Sequence, residues 1–343
     1  MWNVVGHQAA IALLQRSLEK GSVAHAYLLV GPTHVGKMTL AVNLAQAVNC
    51  ESVERPCGQC VSCQRIMAGK HADVQVIKLE QGVENETSAK TRISVEQIDQ
   101  ILHSVNLPPF EGNSKVFIID GFEYLSIAAA NRLLKTLEEP VSKTIFILLT
   151  ADESMVPVTI ISRCQRIELS HLPSGEIENA LISHWQVEPQ KARLLARLSQ
   201  GCPGWAVNMV QDESLLEQRN GWLNEWLEMM AADNNQRFVF TAKMTERFGQ
   251  HRETVQKKLD LLLDWWHDVL LVKTGNDGEM MNIDREDVVR QMAKSHSIMQ
   301  IRNFIGRIQS AEKQLRLNVN PQLVLEVLML NIPESVKVKS PTS

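Results

Sequence analysis

Four of the six cysteines, Cys50, Cys57, Cys60 and Cys63, fall within fourteen residues in the spacing Cys-x6-Cys-x2-Cys-x2-Cys. The two Cys-x2-Cys turns let successive thiolates converge on one ion. Four sulfurs at about 2.3 Å complete the closed tetrahedral shell of a structural zinc site, with no position left for a reactive water. In a chain expected to remain in a reducing compartment, such a cluster favours metal over disulfides. Cys164 and Cys202 stand alone, and His71, although close, is surplus to a shell that four sulfurs already fill.

A second constellation is Gly31-Pro32-Thr33-His34-Val35-Gly36-Lys37-Met38-Thr39, set between the apolar run Ala26 to Val30 and a helical stretch from Leu40 to Val48. Strand, Gly-x4-Gly-Lys and helix, in that order, make a P-loop. Its backbone N–H groups wrap phosphates, while the lysine and the helix N-terminus supply positive potential. The residue after the lysine should carry a hydroxyl for the magnesium bridging the β- and γ-phosphates. Here it is Met38, whose thioether is a poor ligand for a hard cation. Thr39 is turned away by about 100° on a helix and does not substitute. The partner motif, Val116-Phe117-Ile118-Ile119-Asp120, ends in the expected carboxylate, but Gly121 stands where a water-polarising glutamate belongs. Glu123, two residues later, has two readings: it reaches round to that position, or, as is commonplace for first-turn acids and therefore favoured, it is an ordinary surface acid at the start of the next helix.

These residues need a scaffold, and the pattern supplies one. The runs Ala26 to Val30, Val74 to Leu79, Val116 to Ile119, Thr144 to Leu149 and Gln165 to Leu169 alternate with helical stretches. Four of the five are apolar enough for strands buried on both faces, so a parallel α/β sheet is expected over residues 1–170. Ser94 and Gln97 form a capping box for a helix over Val95 to Val105, closed by Pro108 and Pro109. Beyond residue 170 the strand pattern stops. A small helical lid domain is expected over 171–212, with a tight break at Gly201-Cys202-Pro203-Gly204, and an all-helical domain over 213–343. Trp222, Trp226, Trp265 and Trp266 are assigned to core or interface packing, since no basic stripe accompanies them. The last eleven residues read as frayed.

With 35 Lys+Arg against 39 Asp+Glu in 343 residues, the net charge of −4 argues against strong independent binding to a polyanion. At 44% apolar and 22% charged the balance is globular, enough for two or three domains. No apolar run approaches the roughly 20 residues of a spanning helix. The N-terminus has no basic stretch ahead of a sustained apolar one, so a cytosolic location is expected.

With its P-loop and its acid-ended strand, the chain resembles the AAA+ ATPases. Leu133-Leu134-Lys135-Thr136-Leu137-Glu138-Glu139-Pro140, Thr144 to Thr150, Ile160-Ile161-Ser162-Arg163-Cys164-Gln165 and Asn318-Val319-Asn320-Pro321-Gln322-Leu323 are similar to the clamp-loader branch, in particular the delta-prime family of bacterial DNA polymerase III. The resemblance implies a zinc module at 50–63, a helical collar over 213–343, and a pentameric hetero-oligomer with delta and tau/gamma subunits that places a sliding clamp on primed DNA in the cytoplasm. It implies a degenerate site for ATP or ADP at Gly31, Gly36, Lys37, Thr39, Asp120 and Thr150. Read alone, Arg163 is a solvated strand-edge arginine beside a core-filling Cys164. In the family's Ser-Arg-Cys motif it would instead reach the ATP site of a neighbouring subunit, where a guanidinium neutralises charge on the γ-phosphate. The family's second sensor, an arginine three residues after a glycine, falls on Gly204. The resemblance thus implies a largely non-hydrolytic subunit that activates a neighbour. A tau/gamma-like motor is the alternative, disfavoured by Met38, Gly121 and Gly204 and by the lack of a long C-terminal extension.

Overall fold

The computed structural model describes residues 2–78, 95–141, 143–250, 252–317 and 319–333. Ser94 of the expected capping box, Leu79 at the end of the second run, Asn318, and residues 334–343 of the expected frayed end lie outside them. Packing divides the chain into two units, Met1–Ala180 with Gly201–Trp205, and Leu181–Gln200 with Ala206–Ser343.

The first unit runs α1 (Gln8–Glu19), β1 (Ala26–Val30), α2 (Lys37–Asn49), α3 (Val61–Met67), β2 (Val74–Ile77), α4 (Val95–Val105), β3 (Lys115–Asp120), α5 (Ile127–Glu138), β4 (Thr144–Thr150), α6 (Val158–Ile161) and β5 (Gln165–Glu168). All four strand pairings are parallel, in the order β2-β3-β4-β1-β5. Period-two alternation sends Tyr27 and Leu29 to one apolar layer with Leu40 and Leu44 of α2. Ala26, Leu28 and Val30 go to the other, with Ile98 of α4 and Leu133 of α5. The central strands β1 and β4 are buried throughout, and β3 up to Ile119. The run at β2 departs from the expected two-sided burial: Val74 is buried, but Gln75 and Val76 are exposed. The reason is position. Among the described residues β2 is an edge strand paired with β3 alone, so part of its surface faces water.

The helices that follow are α7 (Ser174–Trp185), α8 (Pro189–Leu198), α9 (Pro203–Gln211), α10 (Glu213–Ala231), α11 (Asn234–Gln250), α12 (Arg252–Lys273), α13 (Glu286–Ser295), α14 (Ile298–Arg316) and α15 (Pro321–Leu330). Adjacent residues on a helix diverge by about 100°, yet Trp265 and Trp266 are both fully buried, because α12 packs against α10, α11, α13 and α14 at once. Their surroundings differ accordingly: Trp265 Nε1 donates to Met292 Sδ of α13 at 3.3 Å, whereas Trp266 stacks edge-on against Phe304 of α14. Trp226 Nε1 donates to the Lys258 carbonyl at 2.9 Å. No helix among the described residues is long and apolar enough to cross a membrane.

Three carboxyls in this second unit are displaced upward, Asp268 by burial against the lowering N–H groups of Met281 and Asn282, and two others further. Burial, with Asp260 and Asp268 adding like charge, pushes Asp264 up to about 7. Burial, with Asp260 beside it, pushes Glu312 up to about 7. Between pH ~4 and ~7 the folded chain holds protons that the unfolded chain has released, so these groups' stabilisation is complete below the unfolded pKa and is lost as pH rises through 7. Urea unfolding followed by tryptophan fluorescence, which is dominated by the five tryptophans of this unit, is therefore expected to show a midpoint contribution that falls from pH 5 to pH 8. Asp264→Asn should flatten that fall.

Candidate nucleotide and metal sites

The four clustered cysteines converge. Their sulfurs all lie within 4.8 Å of one another, with Cys50 and Cys63 buried and Cys57 and Cys60 half-buried. Cys50 ends α2, and Cys60 caps α3, so two helix termini and the loop between them position the set. The Cys50–Cys60 and Cys57–Cys63 sulfur separations are both 4.0 Å, twice a disulfide length and close to the ~3.8 Å edge of a tetrahedron with 2.3 Å metal–sulfur bonds. Backbone N–H groups point at the sulfurs: Cys57 N–H at Cys50 Sγ (3.4 Å), Cys60 N–H at Cys57 Sγ (3.3 Å) and Cys63 N–H at Cys60 Sγ (3.5 Å). Those from Cys60 and Gln59 pull the Cys57 thiol down to about 6, whereas burial pushes Cys63 up to about 12. The donor set and its N–H environment fit a metal ion. His71 stays out of the cluster. Its Nδ1 accepts from the Asp73 N–H at 3.2 Å, and its Nε2 lies 3.5 Å from Ser62 Oγ.

The phosphate loop lies between β1 and α2, and α2 starts at Lys37, a turn earlier than the apolar run suggests. Gly36, at φ 115°, lets the chain swing into the helix, and a Cβ on Gly31 would lie 2.3 Å from the Leu169 carbonyl oxygen. Gly31 N–H donates to the Thr150 carbonyl at 3.2 Å, joining the loop to the end of β4. Lys37 is buried, and its ammonium donates to the Gly31 (2.5 Å) and Pro32 (2.8 Å) carbonyls of its own loop. Burial pushes its pKa down, against the raising influence of Glu123 and Asp120. Burial likewise pushes Asp120 up, against Lys78 and Lys37. Thr150 Oγ1 is turned into a local exchange with Asp152, donating to its carbonyl and accepting from its N–H. Met38 packs on the first apolar layer, and Thr39 is exposed.

Two backbone features, at Gly121 and Gly204, are not legible in the sequence. Gly121 has φ 77° and ψ 49°, a left-handed geometry that costs a side-chain-bearing residue about 1–2 kcal/mol. That turn redirects the chain, and of its two readings Glu123 takes the inward one and not that of a surface acid. Its Oε1 accepts from the Ala151 N–H at 3.1 Å, just past Thr150, and its Oε2 is buried without a hydrogen bond among the described residues. Gly204 N–H donates to the His34 carbonyl at 2.9 Å, and a Cβ there would lie 2.8 Å from that oxygen. A side chain at 204 would therefore collide with the phosphate loop's backbone.

Arg163 follows α6. Its Nη2 pairs with Glu138 Oε1 at 2.7 Å, and its Nη1 donates to the Thr159 carbonyl (2.8 Å) and to Ser162 Oγ (3.2 Å). None of these partners belongs to the phosphate loop; of the residues anticipated for the chain's own nucleotide site, Thr39 is the one not drawn into the cradle. Cys164 lies beside the second apolar layer, and burial pushes its thiol up to about 12.

Residues 6–173 match the family model described as DNA polymerase III, delta subunit, and residues 215–334 match that for its C terminal part. The chain is 31% identical to DNA polymerase III subunit delta' of Bacillus subtilis, over 94% of each chain. The chain belongs to the clamp-loader subunit family of bacterial DNA polymerase III. It is also similar to a second family member, subunit tau of the same bacterium, at 28% identity over 96% of this chain and 61% of tau. Among solved structures, a DNA polymerase III gamma subunit-related protein of Thermotoga maritima matches with a TM-score of 0.46 at 16% identity, covering 95% of this chain and 99% of that one. Clamp-loader subunits of this family act in DNA replication.

The contact at Gly204 gives a direct test. Gly204→Ala should cost about 1–3 kcal/mol, as overpacking against fixed backbone does, and should speed hydrogen exchange in residues 31–40. Gly221→Ala, at an exposed helical position with open space around it, should stabilise by about 0.5–1 kcal/mol.

Proposed function

We propose that the chain is a delta-prime-like clamp-loader subunit that turns over little or no nucleotide itself and completes the ATP site of an adjacent subunit with Arg163. The observation that carries this reading is the glycine geometry. At 121 and 204, where a hydrolytic site needs a glutamate and an arginine, the backbone adopts a left-handed turn in one case and rests against the phosphate loop in the other. Met38, half-buried and packed against the core, lacks the third requirement, a hydroxyl for magnesium. Gly31, Gly36, Lys37, Asp120 and Thr150, with Thr39 at the rim, would then hold ATP or ADP passively.

In this reading the chain has three domains, 1–170, 171–212 and 213–343. It assembles with delta and tau/gamma subunits and acts on the sliding clamp and primed DNA through that cytoplasmic complex. The cysteine quartet holds Zn2+ as a structural ion. Arg163, about one-third exposed and resting on Glu138, is available for exchange to a γ-phosphate across a subunit boundary, where such an arginine is worth ~10³ to 10⁵ in rate at the site it serves.

A motor reading, tau/gamma-like, draws support from one observation, the inward carboxylate of Glu123 within charge range of Lys37 and Asp120. That carboxylate lacks the metal-holding hydroxyl and the sensor arginine it would need to work with.

Reconstitution with delta and tau/gamma subunits tests the proposal. Arg163→Ala is expected to remove one site's share of the DNA-stimulated ATPase while leaving assembly intact, whereas undiminished ATPase would reject it. Metal analysis is expected to find one zinc per chain, and none in a Cys57→Ser, Cys60→Ser double variant, whose melting temperature should fall.

A further inference from the structure

Helix α14 carries Arg302, Arg307, Lys313 and Arg316 against a single acid, Glu312, in a chain whose net charge is −4. All four cations are exposed. Arg302, Arg307 and Lys313 take part in no ion pair or side-chain hydrogen bond among the described residues. Glu312 is half-buried, turned toward Asp260 of α12 and within charge range of Arg316, so it offsets that shoulder cation and leaves Arg302, Arg307 and Lys313. At about 100° per residue, Gly306, Lys313 and Arg302 cluster near the crest of the helix, with Arg307 on one shoulder and Arg316 on the other. Asn303, Ser310 and Gln314 fill the positions between them. From Arg302 to Arg316 this face extends about 21 Å.

Gly306 is the unusual member. It sits in the interior of a 19-residue helix, where glycine is a poor choice, and nothing lies within 4 Å of the Cβ it lacks. No packing requirement within the fold explains it. Its absent side chain opens onto a cavity of about 580 Å³ lined by polar groups that include Asn303, Arg307, Ser310 and Asn331. A bare, exposed backbone flanked by unpaired cations and amides is suited to close approach by a polyanion, and the amides suit repeated oxygen acceptors along a strand.

We propose that the outer face of α14 is a sequence-independent contact for the phosphodiester backbone of DNA, centred on Gly306. A regularly charged backbone matches cations distributed along the helix, and in a replication protein family DNA is the polyanion at hand. The chain's overall negative charge keeps the contact weak when the protein is alone. The inference does not rest on Arg163 or on the nucleotide site and can fail or hold independently of the proposed function.

Fluorescence anisotropy of the full chain with labelled dT20, and separately with a 20-base-pair duplex, tests it at low salt. Binding is expected to weaken with salt, for dT20 with a log–log slope of about −2, from roughly three phosphate contacts at ~0.7 each. Arg302→Glu with Lys313→Glu should weaken binding about tenfold. Gly306→Leu, which leaves every charge in place, should weaken it severalfold. Lys20→Glu with Lys70→Glu, the same charge change on the first unit, should have little effect, and circular dichroism should confirm that every variant is folded. Binding to neither DNA, salt-independent binding, or affinity unchanged by the α14 variants would overturn the proposal. So would a 20-residue polyglutamate that competes as well as dT20, which would assign the face to an acidic protein partner.

Discussion

The 2.9 Å hydrogen bond from the Gly204 N–H to the His34 carbonyl is the contact around which the nucleotide cradle is arranged. It ties the start of α9 to the apex of the phosphate loop and leaves no room for a side chain at 204. The same loop is held elsewhere by Gly31 N–H on the Thr150 carbonyl, by the Lys37 ammonium on Gly31 and Pro32, and by the His7 ring 3.0 Å from the Val35 carbonyl. Each tie uses a backbone group of the loop. A loop anchored this way is preorganised to present its remaining N–H groups to phosphate. The backbone at 121 and 204 is shaped for glycine: a side chain at 121 would carry the strain of a left-handed turn, and one at 204 would meet the His34 carbonyl.

The cysteine cluster solves a different problem. Between α2 and β2 the chain has one short helix, α3, whose buried residues are Ser62, Cys63 and Ile66. That is too little apolar surface to fix a module of this size by itself. Four sulfurs within 4.8 Å of one another would supply a cross-link in its place on holding a metal ion, since metal binding to such a set contributes directly to folding. Gln46 Nε2 donates to the Cys63 carbonyl at 2.8 Å, which joins the module to the helix that begins at Lys37. Metal module and phosphate loop therefore lie at opposite ends of α2.

The central strands were legible because two-sided burial leaves an unbroken apolar signature, as in Ile145 to Leu149. The edge character of β2 was not, since Val74, Val76 and Ile77 read equally well as central, and only pairing decides which residues meet water. The cysteine quartet was legible from spacing alone. The inward turn of Glu123 was one of two readings open in the sequence, and the choice between them depends on the left-handed backbone of Gly121, which periodicity does not report. Gly204 looked like a missing arginine. The structural reason that no side chain fits there is a carbonyl 170 residues earlier in the chain, a long-range contact that local sequence does not encode. The early start of α2 at Lys37 follows from Gly36, which bends the chain before the apolar pattern begins.

In the proposed function the phosphate cradle holds nucleotide without hydrolysing it. The most direct measurement is magnesium-dependent ATP hydrolysis by the purified, isolated chain, under single-turnover conditions, beside Lys37→Ala and Glu123→Gln. The predicted result is no release of phosphate above background in any of the three. Release at 1 s⁻¹ or more, on the order of ordinary enzyme turnover, abolished by Lys37→Ala and by Glu123→Gln, would contradict it and make the chain a motor.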